Sequence, residues 1–159
     1  MATPVIKVYE AFLARIEADD WTAQEDLETA EKDWEQFLRM GIFRFKYPRV
    51  SLELDEVQSD FSDNDDLVFS LEFVEDLNQD EIQLLALYMK HEWIKRCVAS
   101  WRNVKSLWSD KEFSQANYLD KLTKLEQNVA LEVKKAEGIY DRSENKRPVG
   151  TFKRLAGKH

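Results

Sequence analysis

Residues 78–108 decide the fold, and they read NQDEIQLLALYMKHEWIKRCVASWRNVKSLW. The stretch begins with Asn78, a residue type that caps helices, and Glu81 follows three positions later, where its carboxylate can reach back to the backbone of the cap. Asp80 and Glu81 also stand at the helix end that carries partial positive charge. The sequence therefore predicts a helix that begins at about residue 78 with a capping box.

Apolar residues cover most of the circumference of this predicted helix. The apolar residues of one face recur every three or four positions. They are Ile82, Leu85, Met89, Trp93, Cys97, Trp101, Val104 and Trp108. The narrow side predicted to face solvent carries Lys90, Lys95, Arg102 and Lys105. A helix with so wide an apolar surface must be covered on more than one side. We therefore predict that residues 78–108 form the central helix of the domain.

Three other segments have helical spacing. Thr3–Pro4 is typical of a helix start, as the cap and the first helical residue, and the first helix is predicted to end near residue 18. Thr22–Glu25 is a second capping box, and the second helix is predicted to end at Met40, with Gly41 as its exit. A last helix is predicted from Ser114, with apolar spacing that stops by Asp141.

Between the second and the central helix the pattern changes to a period of two. Aromatic residues alternate with bases in Phe43–Tyr47, and Leu67–Phe73 also alternates, which is typical of β-strands. We predict a small β-hairpin or extended insertion at about residues 42–74, with an acidic loop inside it. The predicted fold class is mainly α: a four-helix bundle-like domain around the central helix, with this insertion and a basic C-terminal arm. Residues 1–141 form the domain and residues 142–159 the tail.

The charge of the chain is unevenly distributed. The net charge is −8, yet residues 142–159 carry six bases and one acid, so the first 141 residues carry −13. Residues 51–81 contain twelve acids and no base. The chain is an acidic body with a basic tail. Its composition, with 43% hydrophobic residues, is that of a globular domain rather than a disordered chain.

Motifs for catalysis are missing from the sequence. His91–Glu92 begins like a zinc-protease helix, but Lys95 stands where the second histidine ligand belongs, and the other histidine is His159. The four glycines form no phosphate-binding loop. We therefore predict no enzyme activity, no catalytic or cofactor-binding residues and no metal ligands. The lone Cys97 is expected to be a small buried hydrophobe, in a chain from a reducing, cytosol-like compartment.

Two sets of residues are candidates for interactions. The basic tail set, with Arg142, Lys146, Arg147, Lys153, Arg154 and Lys158, could bind an acidic protein surface, contact DNA phosphates or remain solvated. Trp21, in a helix break, and Trp108, at a helix end, could lie at an interface or fill the core, whereas Trp34, Trp93 and Trp101 are expected to fill the core. The acidic set is Asp60, Asp63, Asp65 and Asp66. It lacks the glycine and the closing Glu of a calcium-binding loop, so a solvated loop is the simpler interpretation.

Four stretches within the first 125 residues form a recognisable set. They are the N-terminal helix Pro4–Ile16, FKYPR at 45–49, LNQDEI at 77–82 opening the helix that holds Glu92–Trp93, and FSQANYLDKL at 113–122. Together they resemble the head-tail connector, or neck, proteins of tailed bacteriophages. The segment beyond Asp141 has no counterpart in the resemblance.

The resemblance implies a structural virion protein rather than an enzyme. In such proteins a largely helical subunit forms a ring, often of twelve copies, beneath the portal, where it extends the DNA channel and docks the tail. The expected partners are other copies in a twelvefold ring, the portal protein, the next neck or tail protein, and packaged DNA that passes without sequence-specific binding. The expected location is the neck of the virion, after assembly in the host cytoplasm, with no membrane involved.

Two hypotheses connect the charge distribution of the chain to a role in the connector. The acidic set could line the channel and repel phosphates, and the basic tail set could dock on an acidic neighbour. Three alternatives stay open: a small acidic DNA mimic or host-protein inhibitor, a regulatory helical protein or enzyme subunit whose site a partner completes, and a helical domain with another role.

Overall fold

The computed structural model describes residues 2–17, 27–59, 68–107 and 113–145. Within these residues it contains four helices, α1 (Ile6–Glu17), α2 (Leu27–Arg44), α3 (Gln79–Leu107) and α4 (Phe113–Asn145), and three strands, β1 (Thr3–Pro4), β2 (Leu54–Ser59) and β3 (Val68–Phe73). The predicted fold class is confirmed: the chain is mainly helical, with a small antiparallel sheet.

Helix α3 is the central helix, as the sequence predicts. It packs against α1, α2 and α4, and its side chains Leu85, Met89 and Ile94 are fully buried. The capping box is also confirmed, since the backbone N–H of Glu81 donates to Asn78 Oδ1 at 2.9 Å and the N–H of Asn78 donates to Glu81 Oε2 at 3.0 Å. Covering α3 on three sides explains why so little of its surface is polar.

One residue on the predicted solvent side of α3 is buried. Lys90 was expected to face water, but only 8% of it is exposed, and its Nζ donates to the carbonyl oxygen of Arg15 at 3.2 Å. That carbonyl belongs to the last turn of α1, where a helix lacks intrahelical donors. Lys95 is exposed, as predicted, and the side chains of Arg102 and Lys105 lie outside the described part of the structure.

The N-terminus differs from the prediction. Thr3–Pro4 is not a helix start but an edge strand that pairs with β3, in the sheet order β1-β3-β2. The hydroxyl of Thr3 accepts a hydrogen bond from the N–H of Leu77 at 2.8 Å and donates to Asp76 Oδ1 at 2.9 Å. The Thr3 side chain, which looks like a helix cap, therefore joins the N-terminus to the segment before α3. Pro4 fits the strand because an edge strand tolerates the missing N–H of proline.

Helix α2 ends later than predicted, because Gly41 is not its exit, and its predicted start at Thr22–Glu25 lies outside the described residues. The helix continues to Arg44, and a Cβ added to Gly41 would lie 3.2 Å from the Cβ of Tyr88 on α3. The glycine thus allows α2 to approach α3 closely. As a consequence, Phe43 belongs to a helix, and the described residues of the predicted insertion at 42–74 form strands at Leu54–Ser59 and Val68–Phe73.

The predicted hairpin is confirmed. Strands β2 and β3 pair antiparallel from Leu54↔Phe73 to Ser59↔Val68, and we call this pair the hairpin arm. Phe73 is fully buried at one end of the arm, whereas Asp55, Glu56 and Val57 in β2 are exposed. A strand of this length extends for about 20 Å. Ser59 and Val68 are the last pair of the arm, and residues 60–67 between them lie outside the described part of the structure.

Candidate functional site

A buried polar cluster surrounds Glu81, which we call the Glu81 cluster (Asn78, Glu81, Arg49, Tyr140 and Ser143). Glu81 is completely buried, and its Oε1 accepts hydrogen bonds from the N–H of Arg49 at 3.1 Å and from the Tyr140 hydroxyl at 2.9 Å. Its Oε2 completes the capping box with Asn78. A buried carboxylate is tolerated only with such donors. This one therefore joins the start of α3, the segment after α2 and the last turns of α4.

Arg49 closes the outer side of this cluster. Its guanidinium lies 5.3 Å from the centre of the Tyr140 ring, and its Nη2 donates to Ser143 Oγ at 3.0 Å. Burial and the hydrogen bond to Glu81 raise the pKa of Tyr140 to about 12. The hydroxyl thus stays protonated and donates to Glu81 at any physiological pH, which suits a structural bond rather than proton transfer.

A second cluster lies further along α3, and we call it the His91 cluster (Arg44, Tyr88, His91 and Glu137). Arg44 Nη1 lies 2.7 Å from His91 Nδ1, and because arginine can only donate, Nδ1 accepts and the ring proton is on Nε2. The Tyr88 hydroxyl donates to Glu137 Oε1 at 2.9 Å, and Arg44 Nε lies 3.7 Å from the same oxygen. His91 itself is buried, with 6% of it exposed.

The protonation states of the His91 cluster also argue for a structural role. Burial lowers the pKa of His91, and the positive charges of Lys95 and Arg44 lower it further. Burial and the bond to Glu137 raise the pKa of Tyr88. The imidazole is therefore neutral at pH 7 with its acceptor nitrogen already occupied, and the phenol is protonated. Neither group is arranged as a general base.

The two most exposed of the large apolar side chains that the structure describes lie at and just after the end of α2. Phe43 is 93% exposed, Tyr47 is 76% exposed and Met40 is 45% exposed. Phe43 and Met40 belong to an open groove of about 740 Å³ between α2 and α3, which we call the α2–α3 groove. It is lined by Lys32, Glu35, Gln36, Arg39, Met40, Phe43, Arg44, Glu92 and Lys95. Exposed aromatic side chains of this size are typical of surfaces that contact another macromolecule.

Most of the interaction candidates predicted from the sequence fall outside the described residues. These are Lys146, Arg147, Lys153, Arg154 and Lys158 of the basic tail set, both tryptophans Trp21 and Trp108, and the acidic set Asp60, Asp63, Asp65 and Asp66. Arg142 is described: it lies exposed in the last turns of α4, where its Nε donates to the carbonyl oxygen of Gly138 at 2.8 Å. It therefore belongs to a helix that extends four residues beyond the predicted end at Asp141.

The remaining aromatic and thiol predictions concern the core. Trp34 and Trp93 are partly buried and pack against the hydrophobic core, with the Trp34 ring 5.7 Å from the ring of Tyr9. Cys97 is also only partly buried and packs there. The side chain of Trp101 lies outside the described part of the structure.

Sequence reasoning missed the α2–α3 groove, although a signal for it exists. With the helix carried past Gly41, the positions of Phe37, Leu38 and Phe45 fall on the buried face, and Phe43 falls away from it. The alternation of Phe43 and Phe45 looks like a strand only if the helix is ended at the glycine. The long-range partners of Glu81 had no signal, because Arg49 and Tyr140 lie 32 and 59 residues away in sequence.

Comparison with models of protein families, with curated proteins and with solved structures finds no match to this chain. Within the residues that the structure describes, no group of three or more His, Cys, Asp or Glu side chains could hold a metal ion. None of the described helices is long and apolar enough to cross a membrane.

Proposed function

We propose that this chain is a structural subunit of the head-tail connector of a tailed bacteriophage, which forms a ring on the portal and extends the DNA channel toward the tail. The observation that carries the proposal is the position of the four resembling stretches. They form α1, the segment after α2 that holds Arg49, the capped start of α3 and the start of α4. The resemblance thus covers the framework of the fold, including the residues that join its helices.

The distribution of polar and apolar groups supports an assembly role. The side chains of the Glu81 cluster and of the His91 cluster form bonds within each cluster, and these bonds join helices of the same chain. The hairpin arm and the α2–α3 groove with Phe43 are among the features that face outward. An assembly subunit needs outward surfaces for neighbours and a rigid interior.

Most of the described acids in the stretch 51–81 face solvent. Glu81 is buried, whereas Glu53, Asp55, Glu56, Glu75, Asp76 and Asp80 are exposed. A DNA mimic would need an exposed array of acids spaced like phosphates, and the basic tail set disfavours one. A channel lining needs only that negative charge faces the DNA and repels it.

The experiment that tests the proposal is light scattering of the purified chain, alone and mixed with portal rings. We expect a ring-sized species, or a monomer that becomes one on the portal. A stable monomer or dimer that ignores portal rings and binds a DNA-handling enzyme would contradict the proposal and favour the inhibitor alternative.

A truncation separates the role of the basic tail set from the stability of the domain. Because α4 extends to Asn145 and Ser143 binds Arg49, a chain cut after residue 145 keeps both features. If the tail docks on an acidic neighbour, this truncated chain stays folded, and its assembly on the portal weakens and loses its dependence on salt. Unchanged assembly would contradict docking by Lys146, Arg147, Lys153, Arg154 and Lys158.

A further inference from the structure

The α2–α3 groove combines an apolar floor with a positively charged rim. Phe43 and Met40 provide exposed apolar surface. The charged lining residues are four bases, Lys32, Arg39, Arg44 and Lys95, and two acids, Glu35 and Glu92, so the groove carries a formal charge of +2. The whole chain carries −8. A positive groove on an acidic protein favours an acidic ligand that also has an apolar side chain.

The charges on the rim can rearrange for such a ligand. Arg39 Nη2 lies 2.6 Å from Glu35 Oε1, and Lys95 Nζ lies 2.7 Å from Glu92 Oε1. The side chains of Arg39 and Glu35 are 56% and 37% exposed, and Lys95 is 43% exposed beside the largely buried Glu92. The exposed Arg39–Glu35 pair contributes little to stability, so an incoming carboxylate can share or replace it at low cost.

The chain itself contains a segment with the matching chemistry. Residues 60–67 read DFSDNDDL, with four aspartates, no base and the aromatic Phe61, and we call them the acidic connection. They join Ser59 to Val68, the paired residues at the far end of the hairpin arm. Leu54 at the base of the arm packs against the core, whereas Asp55, Glu56 and Val57 of β2 are exposed. A strand of about 20 Å with this exposed surface can reach a neighbouring molecule.

We propose that the acidic connection of one copy docks in the α2–α3 groove of a second copy. Phe61 packs against Phe43 and Met40, and the aspartates lie against Arg39 and Lys95. The inference rests on the proposed function and deepens it, because it names the two surfaces through which neighbouring subunits of the ring meet. A contact between two different surfaces is heterologous, and heterologous contacts are the kind that build rings.

Charge reversal tests the contact with two variants. Each variant alone should associate weakly, and a mixture of the two should associate again. The groove variant, Arg39→Glu with Lys95→Glu, changes the groove to −2, and the arm variant, Asp63→Lys with Asp65→Lys and Asp66→Lys, changes the acidic connection from −4 to +2. In sedimentation velocity at low salt, each variant alone should associate about tenfold or more weakly than wild type. An equimolar mixture should associate again, because each groove then meets an arm of opposite charge.

A matched control keeps the total charge change but leaves the groove intact. Lys134→Glu with Lys135→Glu, on the exposed side of α4, lowers the net charge by the same amount as the groove variant. We expect this control to associate like wild type. If the wild type is monomeric without the portal, the same comparison is made for ring formation on portal rings. A control as weak as the groove variant, or a mixture that stays dissociated both in solution and on portal rings, would overturn the proposal.

The apolar half of the contact has its own test. Phe43→Ala and Phe61→Ala should each weaken association by roughly tenfold, and the double variant should lose little more than either, because both remove the same contact. Additive losses would place the two rings in separate contacts. Phe43 is 93% exposed, so its replacement leaves the fold intact, and thermal unfolding checks this.

Failure of this contact is distinguishable from failure of the connector function. If portal rings recruit the groove variant into a ring-sized complex as efficiently as wild type, the proposed contact is contradicted and the connector proposal stands. If the mixed variants associate and the wild type never binds portal rings, the contact stands and the connector proposal fails.

Discussion

The Glu81 and His91 clusters contain the same bond in two settings. In each, a tyrosine hydroxyl donates to a glutamate at 2.9 Å and joins α3 to α4: Tyr140 on α4 donates to Glu81, and Tyr88 on α3 donates to Glu137. Glu81 is completely buried, whereas the Glu137 side chain is 35% exposed. The two bonds should therefore contribute different amounts to stability although their lengths are equal. Water can replace the lost hydroxyl at Glu137, which is partly exposed, but not at Glu81, which is buried.

The largest expected effect is that of Glu81→Ala. The substitution removes the reciprocal half of the capping box and leaves the Tyr140 hydroxyl and the N–H of Asn78 without their acceptor, while the N–H of Arg49 keeps only the Tyr140 hydroxyl. We expect a loss of about 3 kcal/mol or more in the free energy of unfolding. Chemical denaturation with circular dichroism measures it. Glu81→Gln keeps the shape and one acceptor oxygen and should lose less; a loss under about 1 kcal/mol for the alanine variant would contradict the role of the cluster.

The two halves of the Glu81 cluster differ in how far the sequence could predict them. The capping box follows from a spacing of three residues, so Asn78 and Glu81 were sufficient to predict it. The bonds to Arg49 and Tyr140 depend on how the helices pack, and no local spacing encodes packing across 32 and 59 residues. The same limit explains Lys90, whose buried position depends on where α1 ends.

The errors at the helix ends have a common physical cause. Thr3 and Gly41 both have the local chemistry of a helix boundary, and both are used instead for contacts with another element. A glycine or a hydroxyl side chain can serve either at a helix end or in a contact with another element. Helix propensity alone therefore cannot distinguish the two roles. The groove at Phe43 was missed for this reason, since it exists only if α2 continues past Gly41. The basic tail set and the acidic set remain sequence predictions.

The comparison between the clusters is sharpened by removing one hydroxyl from each. Tyr140→Phe leaves a buried carboxylate with one donor fewer, and we expect a loss of about 2 kcal/mol, as for a hydrogen bond to a charged group. Tyr88→Phe leaves a carboxylate that water reaches, and we expect about 1 kcal/mol or less. The two variants control for each other, because each loses one oxygen atom. Equal losses in denaturant titrations would show that exposure of the glutamate does not set the strength of the bond.

The smallest effect at neutral pH is expected in the His91 cluster, and it grows as the pH falls. Burial lowers the pKa of His91 below its ordinary 6.5, with Lys95 and Arg44 adding to the effect, while Glu92 and Glu126 oppose it. Below pH 6.5 the unfolded chain therefore binds a proton that the folded chain resists, so stability is full above this pH and declines as the pH falls through the lower pKa of the folded state.

The variant that isolates this effect is His91→Asn, whose Oδ1 can accept from Arg44 as Nδ1 does but cannot titrate. At pH 7 it should unfold at nearly the same denaturant concentration as wild type. Between pH 7 and 5 the wild type should lose more stability than the variant, since the carboxylates and His159 titrate in both and cancel in the difference. A difference that stays flat across this range would mean that Arg44 moves aside and His91 is protonated freely, and the cluster would then be no more than a surface contact.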